Sequence, residues 1–245
     1  MPENFEELDY AQTPLGELIL RRRRGVASDQ DIYEVKLDDA FLMSSLVNAS
    51  EIALANRCIP KAQGEDIQVA IGGLGLGYTA AAALQHPSVG SVVVIEYLAN
   101  VIEWHQRGLV PESSSLTSDP RCRLVNADFF ALVGNPDLGL DLEQPGRQFD
   151  AILVDIDHTP SYRLDDEHGW FYEPEGTQTL CGHLHPGGVF GLWSADFPDS
   201  AFVSTLETSF ETVTAEVISF PNPLLNIEDN NTIYVATHPR VNDCG

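Results

Sequence analysis

Apolar positions along the chain fall into two rhythms that take turns. Leu15–Arg22 and Ile32–Leu37 read as two strands, with the polar, turn-like Gly25–Asp31 between them. Residues 1–12 precede them as a loose acidic arm. Ser45–Cys58 then carries Leu46, Val47, Ala49, Ala53 and Leu54 at helical spacing, and Pro60 stops it. From there the rhythms alternate. Strand Ile67–Ile71 leads to helix Leu76–Gln85, and strand Ser91–Ile95 to helix Leu98–Arg107. Strand Arg123–Val125 leads to a short helix over Phe129–Val133, and Gly134–Arg147 follows as an exposed loop. Ala151–Val154 is apolar throughout, as in a strand buried on both faces. The polar loop Asp155–Gly169 and helix Pro174–Leu184 come next, closed by His185-Pro186-Gly187-Gly188. Strand Val189–Trp193, helix Ser200–Ser209 and a hairpin of Val213–Phe220 with Thr232–Thr237 complete the chain.

Repeated β-α units predict an α/β protein with an open, mainly parallel sheet. The terminal strand pair adds an antiparallel edge strand. The strands from Ile67 onward number seven. The expected organisation is a small N-terminal β-hairpin region over residues 1–44 and a Rossmann-like domain over 45–245.

The chemistry centres on Val69–Leu84, VAIGGLGLGYTAAAAL. An apolar strand breaks into Gly72, Gly73, Gly75 and Gly77, and an Ala-rich helix follows. Glycines permit a tight turn and leave no Cβ to hold a ligand away. The spacing Gly73-x-Gly75-x-Gly77 departs from the dinucleotide fingerprint. It fits better the loop that holds the amino-acid part of S-adenosylmethionine. The alternative is a helix packed closely on a strand with no ligand.

In an open α/β sheet, ligands sit beyond the carboxyl ends of the strands. Three acids fall there. Glu96 closes the second strand of the sheet, Asp128 follows the third, and Asp155 closes the fourth. A carboxylate offers two oxygens, so Glu96 suits both hydroxyls of a ribose. Asp128 suits an adenine amine, and Asp155 lies where a reacting centre belongs. Each acid could instead cap the helix that follows. Asp155 and Asp157 share a face if the strand runs on through them.

Composition narrows the function further. The 245 residues carry a formal net charge of −24, which speaks against nucleic-acid binding or an anionic membrane surface. The basic run Arg21–Arg24 sits among acids and is expected to pair within the fold or between subunits. No apolar run approaches a membrane span, and the acidic start MPENFEELDY is not a signal peptide, so a cytoplasmic location is expected. Cys58, Cys122, Cys181 and Cys244 form no C-x-x-C pair and read as scattered thiols.

The segments IGGLGLG (Ile71–Gly77), VVVIEYLANVIEW (Val92–Trp104), DPRCRLVNAD (Asp119–Asp128), FDAILVDIDHTP (Phe149–Pro160) and LHPGGVFGLWS (Leu184–Ser194) resemble the spermidine synthase family. That family lies within the class-I S-adenosylmethionine-dependent methyltransferase fold. The resemblance implies a transferase in polyamine biosynthesis, moving an aminopropyl group from decarboxylated S-adenosylmethionine to an amine acceptor. It implies cofactor-binding residues Gly72, Gly73, Gly75, Gly77, Glu96, Tyr97, Asp128, Phe129 and Asp155. Asp155, with Asp157, would be catalytic. The implied partner is a small-molecule amine, with no nucleic acid, membrane or metal, and a homodimer is one assembly it allows. A methyltransferase using S-adenosylmethionine itself is the alternative, and a non-catalytic nucleoside-binding or assembly protein is a third reading.

The chain departs from the family on the acceptor side. The aspartate of the family's glycine loop is replaced by Gly75 and Leu76, and its Asp-x-x-Asp becomes Asp155-Ile156-Asp157-His158. Leu42 stands for the N-terminal glutamine, Pro221–Asn231 replaces the Tyr-Pro-Ser-Gly loop, and no diamine-gripping tyrosine or acid is evident in Leu46–Ile52. Among weaker patterns, Cys181-x-His183-x-His185 suggests a metal cluster less than an exposed helix end. The acids Asp165, Asp166 and Glu167 with His168 read as a solvated loop. Trp170-Phe171-Tyr172 reads as a lid or as packing, Trp104 and Trp193 as core or pocket wall, and Ser194 lacks a nucleophile elbow.

Overall fold

The computed structural model describes residues 5–25, 30–222 and 227–240. The first four residues of the acidic arm, part of the first turn, residues 223–226 and Cys244 lie outside them.

Four short strands open the chain: β1 (Phe5–Thr13), β2 (Gly16–Arg24), β3 (Asp31–Leu37) and β4 (Ala40–Ser44), paired in sequence order. The expected loose arm is therefore a strand from Phe5 onward, and the hairpin is a four-stranded antiparallel sheet. The arm hides its strand character because β1 is an edge with few apolar residues. Its acids hold it instead: Glu6 accepts from Arg22, and Asp9 accepts from Trp104 Nε1 at 2.6 Å. The basic run is spent inside this sheet, on alternating faces. Arg21 and Arg23 clamp the buried Glu34 at 2.7 Å each, while Arg22 and Arg24 turn to Asp31.

Next come α1 (Ala49–Cys58), a 3-10 turn through Pro60, β5 (Ile67–Gly72), α2 (Tyr78–Leu84), β6 (Val89–Glu96), α3 (Ala99–Gln106), α4 (Ser113–Thr117), β7 (Cys122–Asn126) and α5 (Phe129–Val133). Then follow β8 (Phe149–Val154), a 3-10 segment over Asp166–Tyr172, α6 (Pro174–Cys181), β9 (Leu184–Ser194), α7 (Ser200–Ser209), β10 (Phe210–Asn222) and β11 (Ile227–Pro239). The Ser113–Thr117 helix is too short to leave a periodic signal.

The large sheet has the order β10-β11-β9-β8-β5-β6-β7. Strands β5 to β9 run parallel. The antiparallel strand is β11, and it lies one place in from the edge, wedged between β9 and β10. The chain reaches the outer edge first with β10, and β11 returns antiparallel into the gap. His185-Pro186-Gly187-Gly188, expected to close the helix, is instead a bulge within β9, the helix having ended at Cys181. Phe149 pairs with Leu184 and Ala151 with Val189, so three extra residues of β9 arch outward, helped by Gly187 at φ +79°.

Period-two alternation sorts side chains onto the two faces of the sheet. Val69, Ile71, Val92, Val94, Ala151 and Leu153 join one core cluster, together with α1 to α3 and Leu18, Leu20 and Val35 of the small sheet. Ala70, Val93, Ile95, Ile152 and Val154 join the other, with α5 to α7. The small sheet is thus packed into the same core as β5. The terminal hairpin is longer than expected. Only Thr232–Thr237 of β11 pairs with β9, whereas β10 and β11 stay paired out to Asn222 and Ile227. The surplus is a two-stranded ribbon that reaches past the carboxyl ends of the parallel strands.

Candidate active site

β5 ends at Gly72, and the chain turns through Gly73 and Gly77, both near φ +93°. That left-handed conformation is open to glycine and strained for other residues. A Cβ on Gly73 would run into the Asp155 carbonyl oxygen, and one on Gly77 would meet His105 and Leu116 at 2.8 Å. The turn is fixed by Gly73 N–H donating to Ile95 O and by Asp155 N–H donating to Gly72 O, both at 2.9 Å. Gly73, Gly75 and Gly77 line a cavity of about 690 Å³, while Gly72 lies behind it against the Phe129 ring.

Glu96 stands at the end of β6, buried at 9 % exposure. Its two oxygens accept from Leu74 N–H at 2.9 Å and Leu98 N–H at 2.8 Å. Burial raises its pKa, and these backbone donors oppose the rise. Glu96 therefore brackets the glycine loop to the start of α3, with its carboxylate on the cavity wall. Tyr97 beside it is exposed and also lines the cavity. Asp128 caps α5, accepting from Ala131 N–H at 3.0 Å, and lines the cavity with Phe129. Capping and cavity lining are both realised here.

Asp155 leaves the end of β8 and meets a partner that the sequence reading missed. Glu51 on α1 lines the same cavity, so Leu46–Ile52 does supply an acid. Thr79 Oγ1 donates to Asp155 Oδ2 at 3.0 Å and lies 3.3 Å from the Glu51 carbonyl oxygen. The Glu51 carboxylate is aimed by a chain of donors. Trp193 Nε1–H donates to Ser50 Oγ, and Ser50 Oγ–H donates to Glu51 Oε2, both at 2.9 Å. Burial, and then the negative charge of Asp155, push Glu51 up to about 7. Burial pushes Asp155 up to about 6 against the Thr79 hydrogen bond. Two carboxylates whose charges oppose each other in a half-buried wall form a seat for a cation. In sequence the signal was present only as Ser50-Glu51 on a helix with no visible link to Asp155.

Asp157 does not share this wall. The strand stops at Val154, so the alternation that would align it with Asp155 is lost. It is 2 % exposed and accepts from Leu164 N–H, Tyr172 Oη–H and His168 Nδ1–H. It pins the loop after β8, whose residue His158 accepts from Ala195 N–H at 2.7 Å. Phe171 and Tyr172 are buried and Trp104 is core, while Trp193 is cavity wall. Ser194 is 1 % exposed, inside β9. Cys181 and His183 bond separately, to Ser209 O and Val133 O. Among the described residues, no group of three or more His, Cys, Asp or Glu side chains is arranged to hold a metal.

The cavity is walled by β4 through Phe41–Ser44 on one side and by the ribbon through Phe220, Asp229 and Asn231 on another. Seven carboxylates and no lysine or arginine line it among the described residues. Along the sheet the order is Asp155 after β8, the glycines after β5, Glu96 on β6 and Asp128 after β7. Three interstrand spacings, about 14 Å, separate the ends of that row.

A seven-stranded sheet of this order, with a glycine loop after its first strand in sequence, defines the Rossmann-like fold of class-I methyltransferases. Solved structures extend the likeness. Spermidine synthase from Thermotoga maritima superposes with a TM-score of 0.65 at 17% identity, over 94% of this chain and 72% of that one. A spermidine synthase bound to the transition-state analogue AdoDATO gives 0.65 at 17%, over 94% and 73%. A probable spermidine synthase from Corynebacterium glutamicum gives 0.61 at 14%, over 95% and 79%. In sequence, polyamine aminopropyltransferase 2 of Pseudomonas aeruginosa is 28% identical over 162 residues, which is 62% of this chain and 42% of that protein. The chain thus matches less than half the length of that curated relative. No protein-family model matches it. The chain is thus similar to spermidine synthases in fold and to a polyamine aminopropyltransferase in sequence.

Proposed function

We propose that the chain is a transferase of the aminopropyltransferase type, moving an alkyl group from an adenosylated sulfonium to an amine. The observation that carries this reading is the Glu51–Asp155 pair in a cavity lined by acids and free of lysine and arginine among the described residues. Its likeness to a polyamine aminopropyltransferase supports it. In this reading residues 45–245 form the catalytic domain and residues 1–44 supply a wall. The glycine loop takes the donor's tail, Glu96 the ribose, and Tyr97, Asp128 and Phe129 the base. Asp155 and Glu51 hold the acceptor ammonium.

The reaction needs one proton removed. An alkylammonium has a pKa near ~10.4 and must lose a proton before its nitrogen lone pair can attack. Asp155 accepts that proton. The nitrogen bonds to the carbon beside sulfur, and the carbon–sulfur electron pair returns to sulfur as methylthioadenosine leaves. Decarboxylated S-adenosylmethionine is the favoured donor because a donor carboxylate would meet like charge and no cation. The methyltransferase reading rests on Gly75 and Leu76, which leave room for an intact methionine tail.

Both donors, offered with a panel of diamines, separate the readings by mass spectrometry. Methylthioadenosine supports aminopropyl transfer, and S-adenosylhomocysteine alone would assign a methyltransferase. Neither product despite tight nucleoside binding would assign a non-catalytic protein. Asp155→Asn should retain donor affinity and lose about 100-fold to 10,000-fold in turnover.

A further inference from the structure

Asp157, His168 and Tyr172 form a chain of polar groups that the transfer step does not use. Tyr172 Oη–H donates to Asp157 Oδ2 at 2.8 Å, and Leu164 N–H donates to Oδ1 at 2.8 Å. His168 Nδ1 lies 3.0 and 3.1 Å from the two Asp157 oxygens. With Nδ1 donating to the carboxylate, the second ring nitrogen, Nε2, is the one left to accept. Burial and the Asp157 charge push the Tyr172 phenol well above its ordinary range, so it stays a donor. The imidazole is also stacked on Phe130, with centroids 4.0 Å apart and planes 30° apart. One ring contact and a buried carboxylate thus fix its orientation without any ligand. His168 nevertheless lines the cavity.

Its place in the cavity says what it faces. Phe130 belongs to the first turn of α5, two residues beyond Asp128. This is the end of the row remote from Asp155, where the donor's purine lies if the function proposed above holds. An exocyclic amine has two N–H groups. A neutral imidazole nitrogen and a carboxylate are both acceptors for them.

We infer that His168 is a specificity-determining residue that reads the 6-amino group of the donor's purine, its Nε2 accepting one N–H while Asp128 accepts the other. Asp157 is its positioning residue. A 6-oxo purine would set a carbonyl oxygen against two acceptors and is rejected. The inference rests on the adenosyl-donor reading.

The test is a binding cycle on the full chain by calorimetry at pH 8.5. The ligands are methylthioadenosine, its analogue lacking the 6-amino group, and methylthioinosine. The proteins are wild type and His168→Phe, which keeps the stack and removes Nε2. His168→Asn, whose amide can still donate to Asp157, serves as the second variant should the first fail to fold. In wild type, removing the amino group breaks the bonds to both acceptors, whereas in either variant only the Asp128 bond remains to be lost, so the penalty should be about tenfold smaller in the variant, the upper range for one neutral hydrogen bond. Discrimination against methylthioinosine should fall in the same direction. An equal penalty in wild type and variant, with methylthioadenosine bound by both, would overturn the His168 assignment alone. Failure of wild type to bind any of the nucleosides would overturn the adenosyl reading and this inference with it.

Discussion

Glu51→Gln tests the carboxylate pair where it is most exposed to refutation, in the pH dependence of amine binding. In the free protein Glu51 titrates at about 7 and Asp155 at about 6. An ammonium seated between them favours both in the ionised form, so amine and proton compete. At pH 6 Glu51 is about nine-tenths protonated and Asp155 about half, whereas at pH 8 both are almost wholly ionised. Amine affinity should therefore be about 20-fold weaker at pH 6 than at pH 8, roughly 1.8 kcal/mol. Glu51→Gln leaves only Asp155 to titrate, and the ratio should fall to about twofold. The absolute affinity at pH 8 should fall as well, because one charge of the seat is gone.

Isothermal calorimetry with a short aliphatic diamine, in two buffers of different ionisation enthalpy, measures affinity and protons released together. Wild type should release more than one proton per amine at pH 6 and almost none at pH 8. The pair titrates as a unit, so the release follows the sum of both groups. Flat affinity between pH 6 and 8, or a variant with the wild-type slope, would show that the two acids do not form the seat.

The same shifts act on folding. A carboxyl whose folded pKa lies above its unfolded value adds stability that is complete below the unfolded pKa, near 4, and is lost as pH rises through the folded one. The ligand-free protein should therefore lose stability from pH 5 to pH 8, by at most about 3 kcal/mol per group, and Glu51→Gln should flatten the decline in thermal melts. Gly73→Ala should cost at least about 2 kcal/mol and abolish methylthioadenosine binding, since a left-handed φ and the Asp155 carbonyl both oppose a Cβ; a variant of wild-type stability and affinity would refute the loop geometry. Glu96→Gln turns an amide N–H toward Leu74 or Leu98 and should cost about 1–3 kcal/mol together with nucleoside affinity. Asp229→Asn on the ribbon should weaken diamine binding about two- to fivefold and leave methylthioadenosine binding unchanged in the same calorimeter.

The parallel sheet was legible because its strands are buried on both faces and its helices carry one apolar stripe. Val92–Ile95 and Ala151–Val154 can be little else. The first strand was not legible, because β1 is held by charges that pair with Arg22, Arg107 and Trp104, and pairing partners leave no period. The bulge in β9 was misread for the opposite reason. Pro186-Gly187-Gly188 carries the local chemistry of a stop, yet Leu184 still pairs with Phe149 across it. The far end of the ribbon was missed because Pro221–Asn231 mixes turn-forming Pro and Asn with its few apolar residues, and a strand that leaves the sheet has no buried face to mark it. In the site, Gly73, Gly75 and Gly77, read from the glycine loop, and Glu96, Asp128 and Asp155, read from their strand ends, all line one cavity, whereas Gly72, read with them, lies behind it. Glu51 was not, since α1 comes from outside the β-α series and only packing brings it to Asp155.

What separates the acids of this chain is how their oxygens are occupied, which no spacing records. Asp157 gives its lone pairs to a backbone N–H, a phenol and an imidazole, and so acts through the loop it holds. Glu96 gives one oxygen to each end of a bracket and still borders the cavity, which makes it a rigid acceptor. Its hydrogen bonds stabilise the charged form that its burial opposes, and a fixed carboxylate is what two ribose hydroxyls require. Asp155 takes one hydroxyl from Thr79, and Glu51 one from Ser50. Neither donor is a cation, so the charge of the pair remains uncompensated by the protein. A half-buried pair of acids left in that condition is costly unless a proton or a ligand supplies the positive charge. The raised pKa values express the first solution, and an ammonium is the second. The fold thus sets a proton and an amine in competition for one place, and the amine that wins has a carboxylate beside it ready to take its own proton.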